Sequence, residues 1–136
     1  MVRTNVLTGA ELLRLTLLCR KIDKQLATSA SLSVDELHCL GVLYLERPTC
    51  VKKLNELLGH SAPRTSKILR SLERRGYVVR SLHLIDRRME QVSLTEDGQR
   101  AAETVLSVSS DAVRKLFSLH PEEGTLQLTK LMHAGD

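Results

Sequence analysis

The segment from Leu54 to Arg88 constrains this chain most. Its apolar spacing and its glycines predict a short helix, a turn at Gly59-His60-Ser61, a basic helix closed by Gly76, and two strands around Ile85-Asp86-Arg87-Arg88. Between His60 and Arg88 stand eight basic residues (Arg64, Lys67, Arg70, Arg74, Arg75, Arg80, Arg87, Arg88) against two acids, Glu73 and Asp86, a balance of +6. The whole chain of 136 residues carries only +4, so everything outside this window is slightly acidic. Positive charge gathered on one helix and one hairpin suits a duplex surface, because neutralising phosphates releases condensed counterions.

The remaining composition narrows the field. A chain of 136 residues with 42% hydrophobic content fits one domain with a core of its own. A basic surface can also meet an anionic membrane, but no apolar run approaches the ~20 residues of a membrane helix. The start, Met1-Val2-Arg3-Thr4-Asn5, lacks a signal-peptide pattern, and a cytoplasmic protein is expected. Cys19, Cys39 and Cys50 are odd in number and lack CxxC spacing, which fits neither a disulfide framework nor a zinc site. The five histidines are dispersed, with no HxH or HxxxH pair, so no metal site is expected. Tyr44, Tyr77 and Phe117 are the only aromatics, which argues against a surface that stacks single-stranded bases. No carboxylate pair, Ser/His/Asp set or Gly-rich phosphate loop is recognisable, and an enzyme is not expected.

Along the chain, a first helix is expected from about Thr8 to Ala27. Leu12, Leu15, Cys19, Ile22 and Leu26 recur at three- and four-residue steps, and Leu13, Leu17 and Leu18 widen the stripe. A helix apolar on two flanks buries more than one side, and a partner subunit would explain that. Ser33 suits the N-cap of a second helix, with Asp35 and Glu36 in the first turn, where the helix dipole favours acids. Leu37, Leu40, Leu43 and Tyr44 form its buried face, and Arg47-Pro48 stops it. Thr49 or Cys50 opens a third helix, with Val51, Leu54, Leu57 and Leu58 inward and Gly59 at its end. Ser61 caps the fourth helix, and Pro63 sits in its first turn. Ile68, Leu69 and Leu72 face the core there, while Arg64, Lys67, Arg70 and Arg74 share the outward face. Residues 77–80 and 89–94 read as a strand and its return. Thr95 caps a long fifth helix bearing Ala102, Val105, Leu106, Val113, Leu116 and Phe117, and a last helix is expected from about Pro121 with Leu126, Leu128, Leu131 and Met132.

The order of four helices, hairpin and helix resembles the MarR/SlyA family of winged helix-turn-helix regulators. The residues that carry the resemblance are Leu54-Asn55-Glu56-Leu57-Leu58-Gly59-His60-Ser61, the run from Leu69 through Arg74-Arg75-Gly76 to Arg80, then Asp86-Arg87-Arg88, and finally Val92-Ser93-Leu94-Thr95-Glu96-Asp97-Gly98. The combination at these spacings is specific, although each piece alone would be weak. The resemblance implies a mainly α fold with a small β-hairpin wing. A DNA-binding lobe would span about residues 34–96, and dimerisation helices would span about 8–28 and 97–134. It also implies a homodimer on double-stranded DNA, with the fourth helix in a major groove, the wing over a minor groove, and half-sites roughly one turn (~34 Å) apart. A repressor responsive to a small aromatic or phenolic ligand is the implied role. Two positions depart from the family pattern. The wing tip, Ser81-Leu82-His83-Leu84-Ile85, is unusually apolar, and Thr65 stands where relatives usually carry an aliphatic residue.

The expected DNA contacts are Ser61, Arg64, Thr65, Ser66, Lys67, Arg70, Arg74, Asp86, Arg87 and Arg88. Arg64 is the base reader, since its fork matches guanine O6 and N7, while Ser61 and Ser66 hold phosphates. For Arg70 and Arg74 a solvated basic face and a phosphate contact stand level. In the family the wing arginine enters the minor groove with the aspartate as brace. Those roles fall on Arg88 and Asp86, whose carboxylate would hold the guanidinium through paired hydrogen bonds, and Arg87 is a phosphate contact. The plain alternative is a solvated tip with a surface ion pair worth ~0–1 kcal/mol. His60 is expected on the surface. Cys19 is the candidate redox residue, because some relatives sense oxidants in that region. Its place on the apolar stripe instead points to a buried, inert thiol. A winged-helix module that binds a protein or a membrane through its basic face is the remaining alternative.

Overall fold

The computed structural model describes residues 8–47, 49–82 and 84–117. The expected helix from Pro121, the side chains of Leu116 and Phe117, and His83 at the wing tip lie outside the described residues. The described residues form eight elements in order: α1 (Gly9–Ser29), α2 (Val34–Leu45), β1 (Thr49–Cys50), α3 (Val51–Leu58), α4 (Ala62–Arg74), β2 (Val78–Leu82), β3 (Glu90–Leu94) and α5 (Glu96–Phe117).

Side-chain caps set the helix starts. Thr8 and Ser33 each accept an N–H from the acid three residues on, Glu11 and Glu36, and each acid reaches back to the cap's backbone. Cys50 caps α3 through its sulfur, and Ser61 caps α4 ahead of Pro63. The Thr95 hydroxyl accepts the Gly98 N–H at 3.0 Å at the start of α5. Gly59 (φ 65°) and Gly76 (φ 76°) take the left-handed conformation that lets α3 and α4 end in tight turns.

α2 lies at the centre and packs against α1, α3, α4, α5 and β3. Leu40, Leu54, Leu69 and Leu72 are completely buried and form the core with Leu43, Ile68, Val78, Val92 and Ala102. Burying a leucine of this kind is worth about 2 kcal/mol, so this cluster holds α2, α3, α4, β2, β3 and α5 together. The inward set of the second and fourth helices is as expected, but Leu57 is exposed rather than inward. α3 is only eight residues long, and Leu54 alone of its side chains is fully enclosed.

The sheet is antiparallel in the order β1-β3-β2. Val78 faces Leu94, Arg80 faces Val92, and Leu82 faces Glu90, which fixes the wing's register. To the expected hairpin the structure adds β1, whose Thr49 pairs with Val92. It fastens the start of α3 to the wing. At the other end of β3 the chain passes very close to itself. A Cβ on Gly98 would stand 1.9 Å from the Tyr77 carbonyl oxygen, so α5 can begin here only with glycine.

Candidate nucleic-acid interface

The two sides of α4 differ completely. Its inner side, Thr65, Ile68, Leu69 and Leu72, is buried, and its outer side presents Arg64, Lys67, Arg70 and Arg74 to solvent. Lys67, Arg70 and Arg74 line a shallow recess together with Glu73. Ser61 stands exposed at the start of the helix, its hydroxyl accepting the Arg64 N–H at 3.4 Å, and Ser66 is half-buried. One expected contact is corrected. Thr65 is 0% exposed and faces the core, so its side chain cannot reach a groove.

Arg64 is anchored at the front of α4. Its Nε donates to Asp35 Oδ2 at 3.0 Å, and its Nη2 donates to Oδ1 at 2.8 Å. Hydrogen bonds from Arg64 hold the Asp35 carboxyl below its ordinary range, against a smaller upward push from burial. Behind Asp35 lies His60, whose Nε2 is 3.8 Å from Oδ1. The expectation of a surface histidine is corrected here: the ring is only 8% exposed, enclosed in the turn between α3 and α4.

The neighbouring acid, Glu36, is a buried charge. It accepts the Ser33 N–H at 3.0 Å and the Ser71 hydroxyl at 3.1 Å, and it pairs with Arg75 Nε at 2.9 Å. Burial pushes this carboxyl up. The Ser33 amide, the Ser71 and Ser33 hydroxyls and Arg75 together outweigh that push and hold it below the usual value. Glu36 therefore joins the first turn of α2 to the last turn of α4. The Ser33-x-x-Glu36 spacing signals the cap but not the reach to Ser71 and Arg75, which lie 35 and 39 residues on.

In the wing, Arg80 and Glu90 form a two-pronged pair across β2 and β3, with Nη2 to Oε2 at 3.0 Å. Arg87 and Arg88 project from the turn before β3, and the Arg88 side chain is 96% exposed. The expected paired brace takes a looser form. Asp86 Oδ1 accepts the Arg88 backbone N–H at 3.1 Å and lies 3.8 Å from Arg88 Nε. The carboxylate thus shapes the turn and attracts the guanidinium without a fork, because both residues sit in a turn rather than at a strand end. Leu82, Leu84 and Ile85 of the wing tip are exposed.

Cys19 is exposed in the chain, not buried as its place on the stripe suggested, because Leu12, Leu13 and Leu17 beside it are exposed as well. Cys39 is enclosed, and burial pushes its thiol up to about 12. Cys50 is half-buried. No group of His, Cys, Asp and Glu among the described residues is placed to hold a metal ion. No described helix is long and apolar enough to cross a membrane.

Comparison with known proteins agrees with this geometry. A winged helix DNA-binding domain family matches residues 36–113, more than half of the chain. YwaE of Bacillus subtilis (strain 168), described as an uncharacterized HTH-type transcriptional regulator, is 28% identical over 102 residues. That match takes in 75% of this chain but only 57% of YwaE, so the chain spans a little over half of that relative's length. The structure of Staphylococcus aureus MepR in complex with DNA superposes with a TM-score of 0.73 at 25% identity, covering 93% of this chain and 98% of MepR. NadR in complex with 4-hydroxyphenylacetate superposes with a TM-score of 0.79 at 17% identity, covering 98% and 94%. The chain belongs to the winged helix DNA-binding domain family, and it is built as the MarR-family transcription regulators are.

Proposed function

We propose that this protein is a homodimeric regulator that binds a near-palindromic operator in double-stranded DNA and represses transcription from it. The carrying observation is the two-sidedness of α4: its inner side is fixed in the core, and its outer side holds Arg64, Lys67, Arg70 and Arg74 in the open. Such a helix can enter a major groove without unfolding anything. In this reading Arg64 reads a base, and Ser61, Ser66, Lys67, Arg70, Arg74 and Arg87 meet phosphates. Arg88 enters the minor groove from a turn shaped by Asp86. MepR, of like fold, is known bound to DNA.

The dimer would form through residues 8–28 and 97–134. Leu12, Leu13 and Leu17 on α1 and Val108 and Val113 on α5 are all exposed in one chain, an apolar surface that a second copy would cover. A small aromatic or phenolic ligand is the proposed effector, supported by NadR's 4-hydroxyphenylacetate. Such a ligand would act through its differential affinity for two spacings of the recognition helices. A second reading is a thiol at Cys19 that releases DNA on oxidation; Cys19 is exposed in one chain, on the helix that the second copy would cover. Release by peroxide that is abolished in Cys19→Ser would establish it.

Selection from a random duplex pool tests the main reading. An enriched near-palindrome with half-sites about one turn apart is the expected result. Absence of enrichment would overturn it and leave either a non-specific DNA binder or an interaction module.

A further inference from the structure

The guanidinium of Arg64 has two edges that can each hold a pair of acceptors. The side edge, Nε and Nη2, is occupied by Asp35 through three contacts of 3.0, 2.8 and 2.9 Å. The end edge, Nη1 and the outer hydrogen of Nη2, still offers two parallel N–H groups. Guanine O6 and N7 accept such a pair in the major groove. The side chain of Arg64 is 54% exposed, so the end edge has room for a base.

Asp35 can hold this arginine because its own position is fixed. It lies in the first turn of α2, between the Ser33 cap and Glu36. Glu36 ties that turn to Ser71 and Arg75 at the far end of α4. The enclosed ring of His60 lies against Asp35 from the turn ahead of α4. An arginine held in one rotamer loses less freedom when it meets a base than one that waves in solvent.

We propose that Asp35 is the positioning residue for base reading: it orients Arg64 so that the preferred operator carries a G·C pair beneath Arg64 in each half-site. This rests on the proposed reading of the chain as a DNA-binding dimer. Asp35 is itself anionic and adds nothing to phosphate attraction. Its removal therefore leaves non-specific affinity unchanged or raised while base discrimination falls, an outcome that general weakening of the fold does not produce.

The test uses the full chain, the duplex enriched by the wild type, and a set of duplexes in which each G·C pair is changed singly to A·T. Affinities are compared for wild type, Asp35→Ala, Asp35→Asn, Arg64→Ala and the double variant Asp35→Ala/Arg64→Ala. Asp35→Asn keeps the shape of the site if the alanine variant melts early. Arg64→Ala is expected to abolish discrimination at one symmetric position. Both Asp35 variants should reduce it there about five- to tenfold, leave the other positions alone, and add nothing in the Arg64→Ala background. Unchanged discrimination in the Asp35 variants would overturn the proposal. So would sharper discrimination, which would make Asp35 a competitor of DNA for Arg64. A wild type that enriches no sequence would overturn the sequence-specific reading, and this inference with it.

Discussion

Glu36 is the side chain whose loss should be felt furthest from its own position. It is a carboxylate 6% exposed, with three partners on three parts of the chain: the Ser33 amide at the start of α2, the Ser71 hydroxyl within α4, and Arg75 at the end of α4. A hydrogen bond to a charged group contributes about 1.5–3 kcal/mol when shielded from water. The Arg75 side chain is 37% exposed, so its share is discounted for screening. The reciprocal cap at Ser33 is worth ~1 kcal/mol. Glu36→Ala should therefore cost about 3 kcal/mol and Glu36→Gln about 2 kcal/mol, since glutamine keeps one acceptor but not the charge. At a urea dependence near 2 kcal/mol per molar, the alanine variant's midpoint should fall by ~1.5 M.

The same residue gives a pH signature with a definite sign. Its folded-state carboxyl lies below the ordinary value of 4.5. The stabilisation is then fully present above that value, and it is lost as pH falls through the lower folded one. Wild type and Glu36→Gln should differ by the full amount at pH 7 and converge in acid. Urea melts followed by circular dichroism at one fixed protein concentration, from pH 7 to well below the ordinary carboxyl value of 4.5, measure this. A neutral-pH difference under 1 kcal/mol between wild type and Glu36→Ala would refute the reasoning. A wild-type-to-glutamine gap that stays constant into acid would do the same.

Thr65 has a hydroxyl with no hydrogen-bond partner among the described residues and no exposed surface. Thr65→Val should raise stability by ~1 kcal/mol and leave DNA affinity alone, and weakened binding by a variant folded like the wild type would restore Thr65 to the interface. Gly98→Ala sets two effects against each other: alanine favours a helix by ~1 kcal/mol, yet its Cβ would lie 1.9 Å from the Tyr77 carbonyl oxygen. The clash should win, with a net loss of about 2 kcal/mol or more in thermal or urea melts, and a stabilised variant would show that α5 can shift away from β2. Leu17→Asp alters a side chain already 53% exposed in one chain, so the chain should stay folded while the proposed dimer dissociates. Sedimentation equilibrium checks this, and a dimer of undiminished strength would remove α1 from the interface.

Spacing and caps made most of the fold legible. Ser33, Ser61 and Thr95 stand where N-caps were expected, Gly59 and Gly76 where helices end, and Ile68, Leu69 and Leu72 on the inner side of α4. These are local signals, complete within a few residues. β1 was not legible, because two residues are too few to show alternation. Thr65 could have been placed by spacing, three before Ile68 and four before Leu69, but a hydroxyl does not by itself mark a core position.

The residues hardest to read are polar ones satisfied by distant partners. Nothing near Asp35 announces Arg64, 29 residues on, and nothing near Glu36 announces Ser71 or Arg75. A basic face pointing outward needs only its own helix to be recognised. The acids that aim such a face are visible only once two helices have been brought together. The legible part of this interface is accordingly its positive charge, which supplies affinity for any duplex. The part that folding had to reveal is the restraint on Arg64, and restraint on a base-reading arginine acts on specificity. Substitutions at the outward arginines and lysines other than Arg64 should therefore change how tightly DNA is held and how steeply salt weakens it. Substitutions at Asp35 should change which DNA is preferred at nearly constant salt dependence. Measuring the salt slope beside the base discrimination for Asp35→Asn and for Lys67→Ala separates the two, and a lowered slope in Asp35→Asn would place that carboxylate's influence on phosphate contacts instead.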